Sequence, residues 1–186
     1  MAVQHRPNGP AVPVDADTFR AVMGALPTGV TVVTTVDADG APCGFTCSAA
    51  CSVSQDPPLL LVCVNSGSRV LREMLGAGAF AVNMLRANRE WVSAHFAARD
   101  ADRFAAVDWR PTDSLGLPWL PDHTVAYAEC RLDSAIAAGD HTVVIGTIVG
   151  GDALRTHGPL MYWRREYAAW PDREALGAGL TLATEG

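Results

Sequence analysis

Apolar and polar residues recur along this chain with two different periods, and the switches between them mark out its elements. Phe19, Val22, Met23 and Leu26 fall at i, i+3, i+4 and i+7, one face of a helix. Asp15 or Asp17 can cap its start, and Pro27 ends it. Gly29 to Val36 is dense in β-branched residues and predicts a strand. Asp37 to Gly40 is a turn, with Gly40 supplying a positive φ, and a second strand runs through Gly44–Thr46. Leu59 to Val64 predicts a strand buried on both faces. Val70, Leu71, Met74 and Leu75 predict a short helix, and Phe80 to Leu85 a strand. Trp91, Val92 and Phe96 mark a helix from about Asn88 to Ala98. Residues 102–122 read as irregular. Two long strand candidates follow, Thr124 to Ala135 and His141 to Gly150, then a last short strand, Leu160 to Trp163. Helices do not alternate regularly with strands, which argues against a doubly wound parallel sheet. Many strands joined by hairpins, with a few helices, predict a mainly β fold: a small antiparallel β-barrel with helical insertions. The domain spans residues 15–170. Residues 1–14, rich in Pro and Gly, are expected to form a disordered leader, and residues 171–186 a polar C-terminal tail.

Composition narrows the chemistry. Of 186 residues, 49% are hydrophobic and 18% charged, and the net charge is −6. All fourteen basic residues are Arg; the chain has no Lys. Gly24-Ala-Leu-Pro-Thr-Gly29 is therefore not a phosphate-binding loop of the Walker type, and Schiff-base chemistry is excluded. The acidic balance argues against nucleic acid as a partner. The longest apolar run, Leu59 to Val64, is far short of the roughly twenty residues of a membrane helix, so no membrane partner is expected. The N-terminus has no apolar signal segment. Five cysteines, an odd number, predict free thiols and a cytoplasmic location.

Familiar motifs mostly fail. Gly76-Ala-Gly78 precedes a strand instead of following one, so it reads as a turn and not a dinucleotide fingerprint. Cys43, Cys47 and Cys51 are spaced by four, but such positions on a strand stand ~13 Å apart, too far to share a metal. The five His are scattered, and no metal site is expected. The segment most suggestive of chemistry is Gly44-Phe-Thr-Cys-Ser-Ala-Ala-Cys-Ser-Val-Ser-Gln-Asp-Pro-Pro58. Small and hydroxyl side chains let a ligand approach the backbone and offer donors to phosphate or ring heteroatoms. The same composition suits a β-bulge corner of a barrel. Both readings stand on composition alone.

An ordered set of short motifs resembles the short-chain flavin reductases, the reductase components of two-component flavin-dependent monooxygenases. The pieces are Phe19-Arg20 with Pro27-Thr-Gly-Val30; Gly44-Phe-Thr46, Cys51-Ser-Val-Ser54 and Asp56-Pro-Pro58; and Val62-Cys-Val-Asn65. Phe80-Ala-Val-Asn83, His95-Phe-Ala97, Arg103-Phe104, Gly139-Asp-His141 with Gly146, and Pro159-Leu160 with Tyr162 complete it. Together they span residues 19–167. The resemblance implies a flavin-reductase-like split barrel of the FMN-binding type and a homodimer. It implies FMN or FAD in a groove near the subunit interface, and NADH or NADPH as hydride donor. Hydride would pass from nicotinamide to flavin, and the reduced flavin to a partner monooxygenase.

By the same resemblance, Pro27, Thr28, Gly29 and Val30, with the backbone after Thr46, would face the isoalloxazine. Thr46, Cys47, Ser48, Ala49 and Ser52 would line its ribityl side, and Asn65, Ser66 and Ser68 would meet phosphate, with Arg69 or Arg103. Asn83, Phe96 and Tyr162 are further candidate contacts, and His141 the candidate catalytic residue beside the nicotinamide. Without the resemblance, His141 is a strand-start His bonding a turn, and Phe96 and Asn83 are core residues. Cys47, Ala49 and Ala50 stand where many members carry hydroxyls and an aromatic residue, which leaves FMN versus FAD open. Two other readings remain: a flavoenzyme that keeps its flavin and acts on an organic substrate, and a non-catalytic flavin- or haem-binding split barrel.

Overall fold

The computed structural model describes residues 12–98, 102–154 and 157–170. Most of the expected leader and all of the expected tail lie outside the described residues. The first helix, α1 (Ala16–Gly24), starts where the Asp15 carboxylate accepts the Thr18 N–H at 2.7 Å. It stops three residues before Pro27. Its apolar face is not buried within the subunit: Phe19, Val22 and Leu26 are 58%, 64% and 55% exposed.

The expected strand at Gly29–Val36 is two strands, β1 (Thr28–Gly29) and β2 (Thr31–Val36), broken at Val30. Val30 is a corner: its N–H donates to the Leu160 carbonyl, while its own carbonyl accepts from the Leu85 N–H. One chain thereby enters two sheets. β3 (Pro42–Cys47) and β4 (Ala50–Ser54) follow, then β5 (Leu59–Asn65), α2 (Arg69–Ala77), β6 (Ala79–Leu85) and α3 (Glu90–Ala97). The stretch read as irregular holds two short paired strands, β7 (Arg110–Pro111) and β8 (Pro118–Trp119), and a 3-10 turn at Pro121–His123. The long hairpin is β9 (Thr124–Ala138) and β10 (His141–Ala153), and β11 (Leu160–Trp163) pairs with β12 (Glu166–Ala169).

The principal sheet is antiparallel, in the order β3-β2-β6-β9-β10-β5-β4. Its two edge strands, β3 and β4, are consecutive in sequence and separated only by Ser48 and Ala49. The Cys63 N–H donates to the Ala49 carbonyl at 2.9 Å, and the Cys47 thiol reaches the Cys63 carbonyl at 3.7 Å. The sheet thus closes on itself as a barrel, and the small-residue segment is its corner, with a bulge between Ser52 and Ser54. A smaller sheet, β1-β11-β12, lies beside it.

β2 is buried on both faces, and each face belongs to a different core. Val33 joins Val62, Val64, Phe80, Val144 and Met74, with Leu71 and Met74 of α2 closing that core. Val32 joins Leu85, Val92, Phe96, Leu120 and Leu160 under α3. β5 corrects its expected burial. Leu60, Val62 and Val64 are buried while Leu59, Leu61 and Cys63 are only half-buried, because its outer face has β10 and β4 beside it but no helix over it. Gly78, expected in a turn, caps α2 in the left-handed conformation at φ 64°, whereas Gly76 lies inside the helix.

Candidate functional site

A groove of about 410 Å³ opens where β1, the β3–β4 corner, the last turn of α1 and the β11–β12 hairpin meet. Its position follows from pairing. Thr28 faces Tyr162 and Gly29 faces Met161 across β1 and β11. The Trp163 indole N–H donates to the Ala25 carbonyl at 3.0 Å, and the Arg164 N–H donates to the Gly24 carbonyl at 3.1 Å. The hairpin therefore grips the end of α1 and holds the apolar residues Phe19, Met23 and Leu26 along one wall. Thr28, Ser48, Ala49 and Tyr162, all expected at the cofactor, line it. The groove has aromatic and aliphatic walls, a few hydroxyls and room for one ring system of a small-molecule ligand. Phe19, Met23, Trp163, Arg164 and Arg165 line it too, and were not among the expected site residues.

A second group of expected residues gathers at the open end of β5 and β10. His141 pairs with Asn65 across the two strands. The Ser66 and Thr142 hydroxyls are 3.1 Å apart, and the Ser66 N–H donates to the Asp140 carbonyl. The Asn65 side chain accepts the Gly67 N–H at 2.9 Å, which folds the loop into a tight turn. His141 is half-buried, and its Nδ1 lies 2.8 Å from the Asp140 carboxylate. That hydrogen bond holds the Asp140 carboxyl below its ordinary value. It also leaves Nε2 as the ring nitrogen free to face a ligand.

Ser68, Arg69 and Arg103 meet on a further cavity of about 390 Å³, with Cys43, Gly44 and Phe104. Each already has a structural partner. Ser68 caps α2 by accepting the Val70 N–H at 3.1 Å. Arg69 pairs with Asp37 at 3.1 Å and Glu73 at 3.5 Å. The Arg103 guanidinium donates to the Ala98 and Gly44 carbonyls, tying the chain after α3 to β3.

Two other expected contacts, Asn83 and Phe96, are core residues, and the expectation is corrected for them. Asn83 is fully buried; its amide donates to the Val32 carbonyl and the Thr34 hydroxyl, and its oxygen accepts the Leu120 N–H. Phe96 is fully buried, edge-on to Phe104 at 5.2 Å. Val30 is buried in the same core as Phe96 and Cys47 in the other, so only their backbone is available to a ligand. The Thr46 hydroxyl donates to the Ser93 carbonyl at 2.6 Å, docking α3 on β3. Ser52 is exposed on β4, the edge strand.

Two of the thiols are held in the protonated form. Burial, with smaller effects of Glu73 and Asp37, pushes Cys43 up to about 11; burial and Glu129 push Cys130 up to about 12. All five cysteines are free. Among the described residues no His, Cys, Asp and Glu cluster could hold a metal, and no helix is long and apolar enough to cross a membrane.

The chain is similar to known proteins along most of its length. The flavin reductase like domain model matches residues 23–171. The chain is 58% identical over 175 residues to a flavin reductase (NADH) from Kitasatospora aureofaciens, covering 93% of this chain and 92% of that one. It is 40% identical over 162 residues to a flavin reductase (NADPH) from Lentzea aerocolonigenes, covering 87% and 94%. Among solved structures, a nitrilotriacetate monooxygenase component B homolog from Mycobacterium thermoresistibile superposes with a TM-score of 0.81 at 37% identity, covering 91% and 92%.

Proposed function

The chain belongs to the flavin reductase like domain family, and from that premise we propose how its groove works as an NAD(P)H:flavin oxidoreductase. The observation that carries the activity is likeness over nearly the whole chain to flavin reductases that use NADH and NADPH. Flavin and nicotinamide supply the chemistry, a hydride passing from nicotinamide C4 to flavin N5. The protein's task is to bind both rings, hold them face to face and exclude water, a proximity effect.

The residues fit that task. Phe19, Met23, Leu26 and Tyr162 give the groove flat apolar walls suited to a ring system, while Thr28 and Ser48 offer hydroxyls to ring heteroatoms. The turn at Asn65–Ser68 presents the Ser66 hydroxyl to the flavin phosphate, and Ser68 shares a cavity with Arg69 and Arg103. With its Nδ1 bonded to Asp140, His141 would offer Nε2 to the donor's carboxamide. The reduced flavin is passed to a partner monooxygenase, as the component B likeness suggests.

A homodimer is part of this reading. The bare apolar face of α1 borders the groove, and a second copy of the chain would cover it and complete the groove's outer wall. Sedimentation should give twice the monomer mass, and a monomer would overturn the dimer. Five free thiols support a cytoplasmic location. The activity is tested by mixing protein, FMN or FAD, and NADH or NADPH, and following nicotinamide absorbance. Oxidation above background is expected with at least one pairing; none with any pairing would refute the reading.

A further inference from the structure

The turn between β11 and β12 is the one place where the groove carries backbone strain. Trp163 pairs with Glu166, so Arg164 and Arg165 alone make the two-residue turn. Their φ values are 49° and 68°, both in the left-handed region. A turn of this shape favours Asn-Gly, which adopts it without strain; two consecutive Arg do not. Strained non-glycine backbone of this kind concentrates where a ligand is held. Both side chains line the groove together with Arg20, so three of the chain's fourteen positive charges meet at one opening. The Arg164 guanidinium lies over the Trp163 ring, 4.6 Å from its centroid, which fixes its direction. Arg20 pairs with Asp17 at 2.5 Å. Among the described residues, Arg164 and Arg165 pair with no carboxylate.

We propose that Arg164 and Arg165, backed by Arg20, form a clamp for the adenosine-diphosphate arm of the nicotinamide donor. Guanidinium groups match phosphate oxygens two at a time, and a chain without Lys has no other cation for that work. This rests on the reading above, in which the flavin phosphate meets the Asn65–Ser68 loop, whose residues are not among those that line the groove. With FMN as the flavin, the remaining phosphates in the reaction are the donor's.

The test is the double variant Arg164→Asn/Arg165→Gly, which keeps the hairpin and removes both charges and the strain. Binding of ADP itself is measured by calorimetry, alongside KM for NADH, FMN and FAD. The Kd for ADP and the KM for NADH should each rise by about tenfold, the scale of one lost charge-assisted hydrogen bond. The KM for FMN should not move, and the melting temperature should hold or rise. Unchanged ADP and NADH values would overturn the clamp. So would a rise in KM for FAD with NADH unmoved, which would assign the arginines to the flavin. Arg165→Lys, which keeps the charge, should recover part of the affinity for ADP; failure to do so would point to turn geometry alone. If the wild type oxidised no NAD(P)H, the activity reading would fail while the ADP titration still decided the clamp.

Discussion

Replacing Asn83 by Ala should unstick the 112–120 segment from the barrel without touching the ligand groove. The side chain is fully buried and makes its bonds in two directions. Its oxygen accepts the Leu120 N–H at 3.0 Å, and its amide donates to the Val32 carbonyl at 3.2 Å and the Thr34 hydroxyl at 3.1 Å. Leu120 is itself fully buried, so its N–H would be left without a partner, at a cost of about 1–3 kcal/mol. Losing the donor side costs a further ~1 kcal/mol, softened because the Thr34 hydroxyl keeps its bond to the Pro118 carbonyl. The total, about 2–4 kcal/mol, lowers the melting temperature by roughly 4–16 °C in a chain of this size. Thermal unfolding of the ligand-free protein, followed by circular dichroism, measures it. The KM for flavin should stay within twofold of wild type. Asn83→Asp should also destabilise at neutral pH: it keeps an acceptor for Leu120 but turns a second oxygen toward the Val32 and Pro118 carbonyls. An Ala variant that melts with the wild type and binds flavin poorly would refute the reasoning and return Asn83 to the ligand.

His141→Ala should lower turnover while leaving flavin binding largely intact; an unchanged rate would remove His141 from the reaction. Gly146→Ala would place a methyl 2.7 Å from the Phe80 ring and 2.8 Å from the Cys130 side chain, so urea unfolding should show a loss of about 1–3 kcal/mol. His123 supplies a pH dependence. Burial holds it below its ordinary value of 6.5, and its Nδ1 accepts the Arg89 Nε–H at 3.0 Å, which requires the neutral ring. On unfolding it regains the ordinary value and binds a proton first as pH falls. Its share of stability is therefore complete above pH 6.5 and is lost as pH drops below that toward the lowered folded value. The urea midpoint should fall between pH 7.5 and 5.5 in the wild type, and fall less in His123→Gln.

Local signals carried much of this fold in the sequence itself. The Asp15 cap, the β-branched run of β2 and the glycine ending α2 each act within a few residues, and each is where its chemistry puts it. What was illegible depends on distant partners. β4 is an edge strand of small residues, and β12 is exposed along its whole length, so neither shows an apolar alternation. The break at Val30 exists only because Leu160 and Leu85 claim its two backbone groups. The motif residues split in the same way. Phe80-Ala-Val-Asn83 and His95-Phe-Ala97 belong to the fold as core and staple, and a motif alone does not separate holding the barrel from holding a ligand. Thr28 and Tyr162 were legible through the resemblance. Arg164 and Arg165 were not, because two arginines contradict the turn they occupy.

The grip of the last hairpin on the first helix has a consequence for how the chain matures. Trp163 and Ala25 are bonded across 138 positions. On the ribosome, α1 and β1 emerge early and have nothing to close against. The strands from β2 to β10 can pair as they appear, since the barrel needs none of the last thirty residues for its ladder. Only when β11 and β12 are released does the groove gain its second wall. The groove is thus completed after the barrel strands that precede β11 and β12 in the chain. Loss of the segment after Pro159 should remove the groove's second wall and, with Leu160, part of the core under α3, so the melting temperature should fall as well.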